Sequence, residues 1–363
     1  MSTIPNSFKD IIMQESKAAR GRSLSKIRKR DLKRPAAKWV TVNRIGGKVG
    51  NALSLVMLTQ GCAHARGNEG GCTMCSYLLD GSPKPASADE LLAQFDKAMA
   101  TLDNMPSPLA IKIYTSGSFL DPEEIPLEAR SGILSKIAKD ARIEEVVIES
   151  RPEYVNGTSL KQIREILGTR KIEIGIGLES GNDTVRSICI NKGFTRSDFT
   201  AAVEAAKEEK IGTRAYVLVK PPFLTERDAL LDCVQTIVDA AQIGATTISI
   251  NPVNVQKHTL VERLWSKGHY RPPWLWTVVD ALWRARLEVD SRIDIICDPV
   301  ASGRQRGPHN CGRCDSTVTK AIRDFSLSQD VQVFADLHCE CKSLWNHVLI
   351  HEDVSLLVHS SEA

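Results

Sequence analysis

Six short apolar runs alternate with helical segments between residues 53 and 250, and this alternation constrains the fold more than any other feature. The runs cover residues 53–58, 109–114, 143–148, 172–177, 213–219 and 246–250. Their length and their β-branched residues predict buried strands. Ser87 with Glu90 forms a capping box that predicts a helix start, and Thr225 with Asp228 gives a weaker signal of the same kind. The chain is therefore predicted to be an α/β protein with a parallel sheet, either open or closed into a full or partial barrel.

Polar or glycine-rich sequence follows each predicted strand. In parallel α/β folds, binding and catalytic groups collect just beyond the carboxyl ends of the strands. After the second to the sixth strand these stretches are Thr115-Ser116-Gly117-Ser118, Glu149-Ser150-Arg151, Glu179-Ser180-Gly181, Lys220-Pro221-Pro222 and Asn251-Pro252. We expect a site at this edge of the sheet, with some of these residues serving instead to cap the following helices.

Three cysteines lie in the glycine-rich loop that follows the first predicted strand: Cys62, Cys72 and Cys75. Thiolates bind soft metals, and His64 is the local candidate for a fourth ligand. Three thiolates with a vacant position fit a four-iron cluster with one open iron better than a closed zinc site. A loop stapled by zinc is the alternative.

A second cysteine group lies near the C-terminus, where Cys311 and Cys314 are followed by Cys339 and Cys341. Two short-spaced pairs predict a zinc site that helps a small unit to fold, with a second iron–sulfur cluster as the alternative. The single residue between Cys339 and Cys341 is unusual, so Cys297 or His309 could replace one ligand. The surrounding polar loop contains candidate residues for gripping a nucleotide or an anion, namely Asp298, His309 and Asn310.

Composition and charge indicate an ordinary soluble protein of the reducing cytoplasm. No apolar run approaches the roughly 20 residues that cross a bilayer, and the N-terminus lacks a secretory signal pattern. The ten cysteines are therefore interpreted as metal ligands and buried thiols. Residues 17–34 hold nine Lys or Arg and one acid, which suggests either a phosphate backbone as partner or a solvated arm. We predict a basic arm over 1–38, a barrel over 39–290 and a cysteine-rich region over 291–363.

The Cys-x9-Cys-x2-Cys loop resembles that of the radical S-adenosylmethionine (SAM) superfamily, in the branch with a long first spacing that includes the Elp3-like proteins. Glu149-Ser-Arg-Pro152 and Gly177-Leu-Glu-Ser180 resemble two further stretches of that branch. The resemblance implies a partial (β/α)6 barrel, a 4Fe–4S cluster on Cys62, Cys72 and Cys75, and SAM at the open iron.

The resemblance also implies which residues contact SAM. Met74 stands where the superfamily places a residue facing the adenine, and Ser116, Gly117 and Ser118 stand where strand-edge groups hold the SAM amino group. Arg151 is the preferred partner of the SAM carboxylate because a guanidinium can bind it with two hydrogen bonds, with Arg186 and Arg214 as rivals. The remaining expected SAM-binding residues are Glu149, Glu179 and Ser180. No catalytic side chain is assigned.

The loop Gly307-Pro-His-Asn-Cys-Gly-Arg-Cys-Asp315 and the later Cys339-Glu-Cys341-Lys-Ser-Leu-Trp345 make the chain similar to the archaeosine-forming radical SAM enzymes over about residues 39–350. That resemblance implies conversion of a lysine-adducted 7-deazaguanine in the tRNA D-loop to archaeosine by radical C–N bond cleavage. It implies tRNA and the lysine-attaching enzyme as partners and leaves the electron donor open. The alternatives are another Elp3-like tRNA-modifying enzyme and a zinc-stapled RNA-binding protein without catalysis.

Overall fold

A computed structural model describes residues 7–21, 23 and 30–353. Residues 22 and 24–29 of the basic run lie outside these described residues. The described chain forms one eight-stranded sheet whose strands are neighbours in sequence order. The strands are β1 (Ala37–Ile45), β2 (Lys48–Val56), β3 (Leu109–Tyr114), β4 (Ile143–Glu149), β5 (Lys171–Glu179), β6 (Gly212–Val219), β7 (Thr247–Pro252) and β8 (Asp294–Cys297).

Strands β2 to β8 run parallel, and β1 pairs antiparallel with β2. The predicted α/β partial barrel is confirmed, and each of the six predicted strands coincides with one of β2 to β7 to within a few residues. Two strands were not predicted. β1 is an edge strand with mixed polarity and no regular alternation of burial, and β8 has four residues. The sheet thus continues past residue 290.

Eleven α-helices occur within the described residues, and most of them connect successive strands. They are α1 (Phe8–Arg20), α2 (Ala63–Arg66), α3 (Ala88–Met99), α4 (Leu127–Lys139), α5 (Gly157–Leu167), α6 (Arg196–Glu208), α7 (Glu226–Ile243), α8 (Leu260–Ser266), α9 (Leu275–Glu288), α10 (Asp315–Ser328) and α11 (Cys341–His351). The capping box of Ser87 and Glu90 starts α3 as predicted, and Thr225 caps α7 through the Asp228 amide. Side-chain caps of this kind satisfy amides that the helix itself leaves free.

The two faces of the sheet have different chemistry. In β3, Leu109, Ile111 and Ile113 belong to the core between sheet and helices. Lys112 and Tyr114 alternate with them and line a cavity on the inner face. Because side chains alternate along a strand, each strand supplies apolar groups to the core and polar groups to the cavity. The fold therefore builds its site from alternate positions of many strands.

Helix α10 lies beside the edge strands β1 and β8. Arg44 of β1 forms an ion pair with Asp294 of β8 at 3.6 Å, and it donates a hydrogen bond to the carbonyl of Leu327 in α10 at 3.3 Å. Arg323, Ser326 and Leu327 of α10 line the inner cavity. These contacts make α10 one wall of the cavity. Within the described part of the chain, no helix combines the length and the apolar character that a membrane span requires.

Candidate functional site

A cavity of about 1280 Å³ occupies the inner face of the sheet, and all three cysteines of the first group line it. Cys62, Cys72 and Cys75 are each half-buried and lie on the loop after β2, at the carboxyl edge of the parallel strands. The structure thus brings together the three thiols that the sequence singled out.

The cysteine loop is fixed to the end of β3 by close backbone contact. The Cys62 amide donates to the Ser116 carbonyl at 3.1 Å. A Cβ atom on Gly117 would lie 2.6 Å from the Cα atom of Cys62, so glycine is required for this approach. On the outer side, Arg20 of α1 donates to the carbonyls of Ala65 at 3.0 Å and Cys75 at 3.3 Å. The loop is therefore held between α1 and the sheet.

Burial favours the protonated form of two of these thiols. Desolvation raises the pKa of Cys62, and the positive charge of Arg151 opposes that rise. Desolvation and the neighbouring Cys72 raise the pKa of Cys75 to about 12. Cys62 and Cys75 therefore stay protonated at neutral pH unless a metal displaces their protons, as metals do when they bind cysteine.

His64, the alternative zinc ligand, already uses both ring nitrogens. Its Nε2 atom lies 2.7 Å from the Asn191 carbonyl, and its Nδ1 atom lies 3.0 Å from the Glu69 carboxylate. Burial lowers the pKa of His64, and the Asn191 carbonyl and the Glu69 carboxylate oppose that change. Because both ring nitrogens already contact oxygen atoms, His64 is a poor fourth ligand. The local candidate ligand for a zinc site on this loop is therefore already in use.

Most of the residues expected to contact SAM line the same cavity: Met74, Ser116, Gly117, Glu149, Arg151 and Glu179. Ser118 and Ser180 do not line it. The Ser118 hydroxyl accepts from the Arg151 amide at 3.0 Å, and the Ser180 hydroxyl donates to Asp232 at 2.7 Å. These two serines hold neighbouring segments in place and have no direct access to the cavity.

Of the three arginines considered for the SAM carboxylate, Arg151 and Arg214 line the cavity, and each already has a carboxylate partner. Arg186 is fully buried away from the cavity, where it contacts Asp183 and the Ser180 carbonyl. Arg214 lines the cavity but pairs with Glu173 at 2.6 Å and with Glu145 at 3.1 Å. Arg151 contacts Glu153 and donates to the Lys192 carbonyl at 3.1 Å, and its guanidinium lies 5.4 Å from the centre of the Phe194 ring.

Sequence reasoning missed two cavity residues on this side, Lys192 and Tyr216. Lys192 pairs with Glu179 at 2.7 Å, and Glu179 has a left-handed backbone with φ of 65°. The Tyr216 hydroxyl lies where a side chain on Gly175 would be, 2.8 Å from that Cβ position. Burial raises the pKa of the adjacent Glu149 to about 8, so this carboxyl is largely protonated at neutral pH. The alternating polar residues of β6 were the available signal for Tyr216.

The second cysteine group is assembled by the loop before α10 and the start of α11. The sulfurs of Cys311, Cys314, Cys339 and Cys341 all lie within 4.8 Å of one another. Cys311 and Cys339 are 3.7 Å apart, and so are Cys314 and Cys341. Zinc–sulfur bonds of about 2.3 Å in a tetrahedron place the sulfurs about 3.8 Å apart. These distances fit four thiolates around a single ion.

The proposed substitutes lie outside this group. Cys297 is buried in the core, where its amide donates to Ser326 at 2.8 Å, and the His309 Nδ1 atom contacts the Gly307 carbonyl at 2.8 Å. Both members of the Cys339–Cys341 pair belong to the group because Cys339 precedes α11 and Cys341 is its first residue.

Hydrogen bonds from the barrel reach the sulfurs of the second group. Trp276 in α9 donates its indole N–H to Cys341 at 3.3 Å, and Asn310 donates to Cys314 at 3.3 Å. Burial alone would raise the pKa of Cys311, but backbone amides of Arg313 and Cys314 and the neighbouring thiols lower it to about 6. Donors of this kind orient thiolate ligands and stabilise their charge.

The three residues expected to recognise substrate are separated by the structure. Asp298 lines the cavity and pairs with Arg323 at 3.0 Å. His309 and Asn310 do not line the cavity. Asn310 accepts from the Trp276 amide at 3.3 Å in addition to its contact with Cys314. It therefore belongs to the second cysteine group.

The fold and these sites define a partial (β/α)-barrel protein with a thiol-lined inner cavity and a separate four-cysteine group. No protein-family model matches the chain. Relatives do identify it. It is 43% identical over 319 residues, 88% of this chain and 91% of the relative, to the archaeosine synthase subunit beta of Methanosarcina acetivorans. It is 39% identical over 314 residues to the archaeosine synthase subunit beta of Thermococcus kodakarensis, covering 86% of this chain and 95% of the relative.

The chain therefore belongs to the archaeosine synthase subunit beta family, and its resemblance to archaeosine-forming proteins is confirmed. An uncharacterised protein of Methanocaldococcus jannaschii is 36% identical over 94% of both chains. Among solved structures, the chain is similar to Elp3 of Methanocaldococcus infernus, with a TM-score of 0.46 and 14% identity over 60% of this chain and 55% of that chain. Methylornithine synthase gives a TM-score of 0.46 and 10% identity over 96% of this chain and 97% of that chain.

Proposed function

We propose that this chain is a radical SAM enzyme of tRNA modification. In this proposal it converts a lysine-adducted 7-deazaguanine in the tRNA D-loop to archaeosine by C–N bond cleavage. Membership of the archaeosine synthase subunit beta family supports the pathway. The observation that carries the proposal is the arrangement of Cys62, Cys72 and Cys75 on one cavity at the carboxyl edge of the sheet.

The residues around this cavity fit a 4Fe–4S cluster with SAM. Three half-buried thiols supply three cluster ligands, and the nearest alternative ligand, His64, is engaged elsewhere. The cavity volume of about 1280 Å³ leaves room for SAM and part of a substrate. When bound, the cluster and SAM supply a reductively generated carbon radical that abstracts hydrogen.

The chain's own residues would position the reactants. Arg151 would bind the SAM carboxylate, a role supported by the buried position of Arg151 at the cavity wall. Met74 would contact the adenine, and the backbone around Ser116 and Gly117 would hold the SAM amino group. Trp39 stacks with Tyr114 at 6.3 Å and remains 44% exposed at the cavity, so its ring is available to stack on an RNA base.

The four-cysteine group is proposed to hold zinc. The sulfur–sulfur distances of 3.7 Å support one tetrahedral ion. The predicted regions 1–38, 39–290 and 291–363 remain our proposal for the domain organisation, with this zinc site fixing the last region to the barrel.

The partners proposed are tRNA, the lysine-attaching subunit and an electron donor of unspecified class. The relatives are named as a beta subunit, which supports a second subunit for this chain. Location in the cytoplasm is likewise part of the proposal.

The test is anaerobic reconstitution of the full chain with iron and sulfide, followed by incubation with SAM, a reductant and lysine-adducted tRNA. We expect a brown protein, formation of 5′-deoxyadenosine and archaeosine in the digested tRNA by mass spectrometry. The Cys72→Ala variant should lose all three, whereas Cys233→Ala, which removes a core thiol of α7, should keep them. Cleavage of SAM without a change in the nucleoside would refute the proposed substrate. A colourless protein would favour a zinc-stapled RNA-binding protein.

A further inference from the structure

A layer of charged side chains, most of them buried, closes the cavity on the side away from the cysteine loop. Lys112, Glu145, Lys171 and Arg214 line the cavity from β3, β4, β5 and β6, and Glu173 lies just behind them. Arg214 bonds both carboxylates, and Lys171 lies 3.1 Å from Glu145 and 3.4 Å from Glu173. The positive charges of Arg214 and Lys171 therefore neutralise the negative charges of Glu145 and Glu173.

Lys112 is the third cation of this layer and has no carboxylate within ion-pair distance among the residues that the structure describes. Its Nζ atom donates to the Asn43 amide oxygen at 2.6 Å, and the residue is 9% exposed. Burial and the nearby Arg214 charge lower its pKa to about 7. An unpaired cation in a buried position is costly, so a ligand anion would be stabilised here.

We infer that Lys112 binds the carboxylate of the amino-acid part of the substrate, which rests on the proposed function. Lys112 and Tyr114 are successive inward positions of β3, spaced about 7 Å apart, and Ser116 lines the cavity from the segment that follows this strand. The reacting carbon would lie toward Ser116, near the cysteine loop, and the carboxylate would lie toward Lys112. The aliphatic chain of a lysine adduct fits between these ends, past the Tyr114 ring.

The binding test separates the carboxylate of the adduct from other anions such as RNA phosphates. The probes are Nε-formimidoyl-lysine and N-pentylformamidine, which share an amidine and an alkyl chain but differ in the amino-acid end. Calorimetric titration of the reconstituted wild type is expected to show at least about tenfold tighter binding of the lysine probe. Equal affinity for the two probes would overturn the inference.

Variants assign the effect to Lys112. Lys112→Met is expected to lose this preference, Lys112→Arg to retain most of it, and the exposed Lys48→Met to bind as the wild type does. Unchanged discrimination in Lys112→Met would overturn the inference, and thermal melting checks that each variant is folded. Since binding is measured without turnover, failure of archaeosine formation with intact discrimination would count against the proposed reaction alone.

The same variants then give a kinetic readout. With lysine-adducted tRNA, Lys112→Met should raise KM by about tenfold or more, whereas with a pentylamine-adducted tRNA it should match the wild type. An equal loss on both substrates would show a structural role for Lys112 and overturn the assignment.

Discussion

Single residues with buried charge determine much of the local stability in this chain. Glu226 is fully buried at the start of α7 and accepts from Lys220 at 2.6 Å, from the Trp274 amide at 2.7 Å and from the Thr277 hydroxyl. Lys220 is also buried, with Glu352 as its second partner at 3.2 Å. This cluster joins the end of β6 to α9 and to the chain after α11.

Replacing Glu226 by Gln should destabilise the protein by about 3 kcal/mol because it leaves Lys220 with one partner in a buried site. Chemical denaturation measures this difference. The matched control is Glu165→Gln on the exposed surface of α5, for which we expect a change within about 0.5 kcal/mol. Similar losses in the two variants would contradict this account of the cluster.

A buried carboxyl gives a pH dependence whose sign can be stated. Desolvation raises the pKa of Asp232 to about 6, against the stabilising hydrogen bond from Ser180. Its folded-state pKa therefore lies above the unfolded value, and its contribution to stability is lost as pH rises from about 4 to about 6. Asp232→Asn should then stabilise the protein at pH 7 by about 1–2 kcal/mol.

The measurement is the free energy of unfolding of both proteins between pH 4 and pH 8. The two curves should approach each other at the acidic end, where the carboxyl is protonated in the folded chain and about half protonated in the unfolded chain. A difference that stayed constant with pH would show that charge on Asp232 is not the cause.

The two cysteine groups could be predicted from sequence because local spacing carries the information. The positions of Lys112 and Tyr216 in the cavity could not be predicted, because they depend on contacts with residues of other strands. Lys112, for example, donates a hydrogen bond to Asn43, which lies sixty-nine positions earlier in the sequence. For Ser118 and Ser180 the sequence suggested a role that the contacts do not support. Their motifs are similar to ligand-binding stretches, but their hydroxyls bond to neighbouring protein groups.

Among whole elements, α1 has a direct connection to the cysteine loop. Arg20, in the last turn of this helix, is 6% exposed and donates to carbonyls of Ala65 and Cys75. The composition of the basic run suggested a phosphate-binding role, whereas this arginine is used inside the protein. α1 therefore supports the loop that carries the candidate cluster ligands.

Arg20→Ala should destabilise the folded conformation of the cysteine loop by about 1–3 kcal/mol, because it leaves buried carbonyls without donors. We expect less iron per chain after reconstitution and faster loss of the brown colour on dilution. Gln14→Ala, an exposed change on the same helix, should reconstitute as the wild type does. Iron content unchanged in Arg20→Ala would contradict a supporting role for α1.

Strands and helices were predictable to different degrees. The six central strands could be predicted because each is an apolar run bounded by turn residues, and capping boxes marked the start of helices such as α3. β8 could not be recognised, since four residues carry too little periodicity, and its pairing with β7 depends on the tertiary fold.

For the molecule as a whole, the four-cysteine group connects the C-terminal helices to the barrel. Cys314 immediately precedes α10, Cys341 begins α11, and Trp276 of α9 bonds to the Cys341 sulfur. α10 in turn lines the inner cavity through Arg323, Ser326 and Leu327. A metal at this group would therefore support a wall of the distant cavity.

Removing that metal should loosen α10 while leaving the central strands intact. We expect zinc release on chelation, a lower melting temperature and faster hydrogen exchange over α10 than over β3 to β6. Cys314→Ser should reproduce the effect, and Cys189→Ser, at a thiol outside both groups, should not. Uniform exchange changes across the sheet would contradict this division of the molecule.

The sheet is not joined edge to edge. Within the described residues, β1 and β8 are the two ends of the ladder and do not pair with each other, and Arg44 links them through side-chain contacts. Spreading these edges would separate Arg44 from Asp294 and from α10, and would disturb the packing of α10 on both strands, while every inter-strand amide bond stays formed. The seam between β1 and β8 therefore depends on side chains and on one helix, unlike every other junction of the sheet.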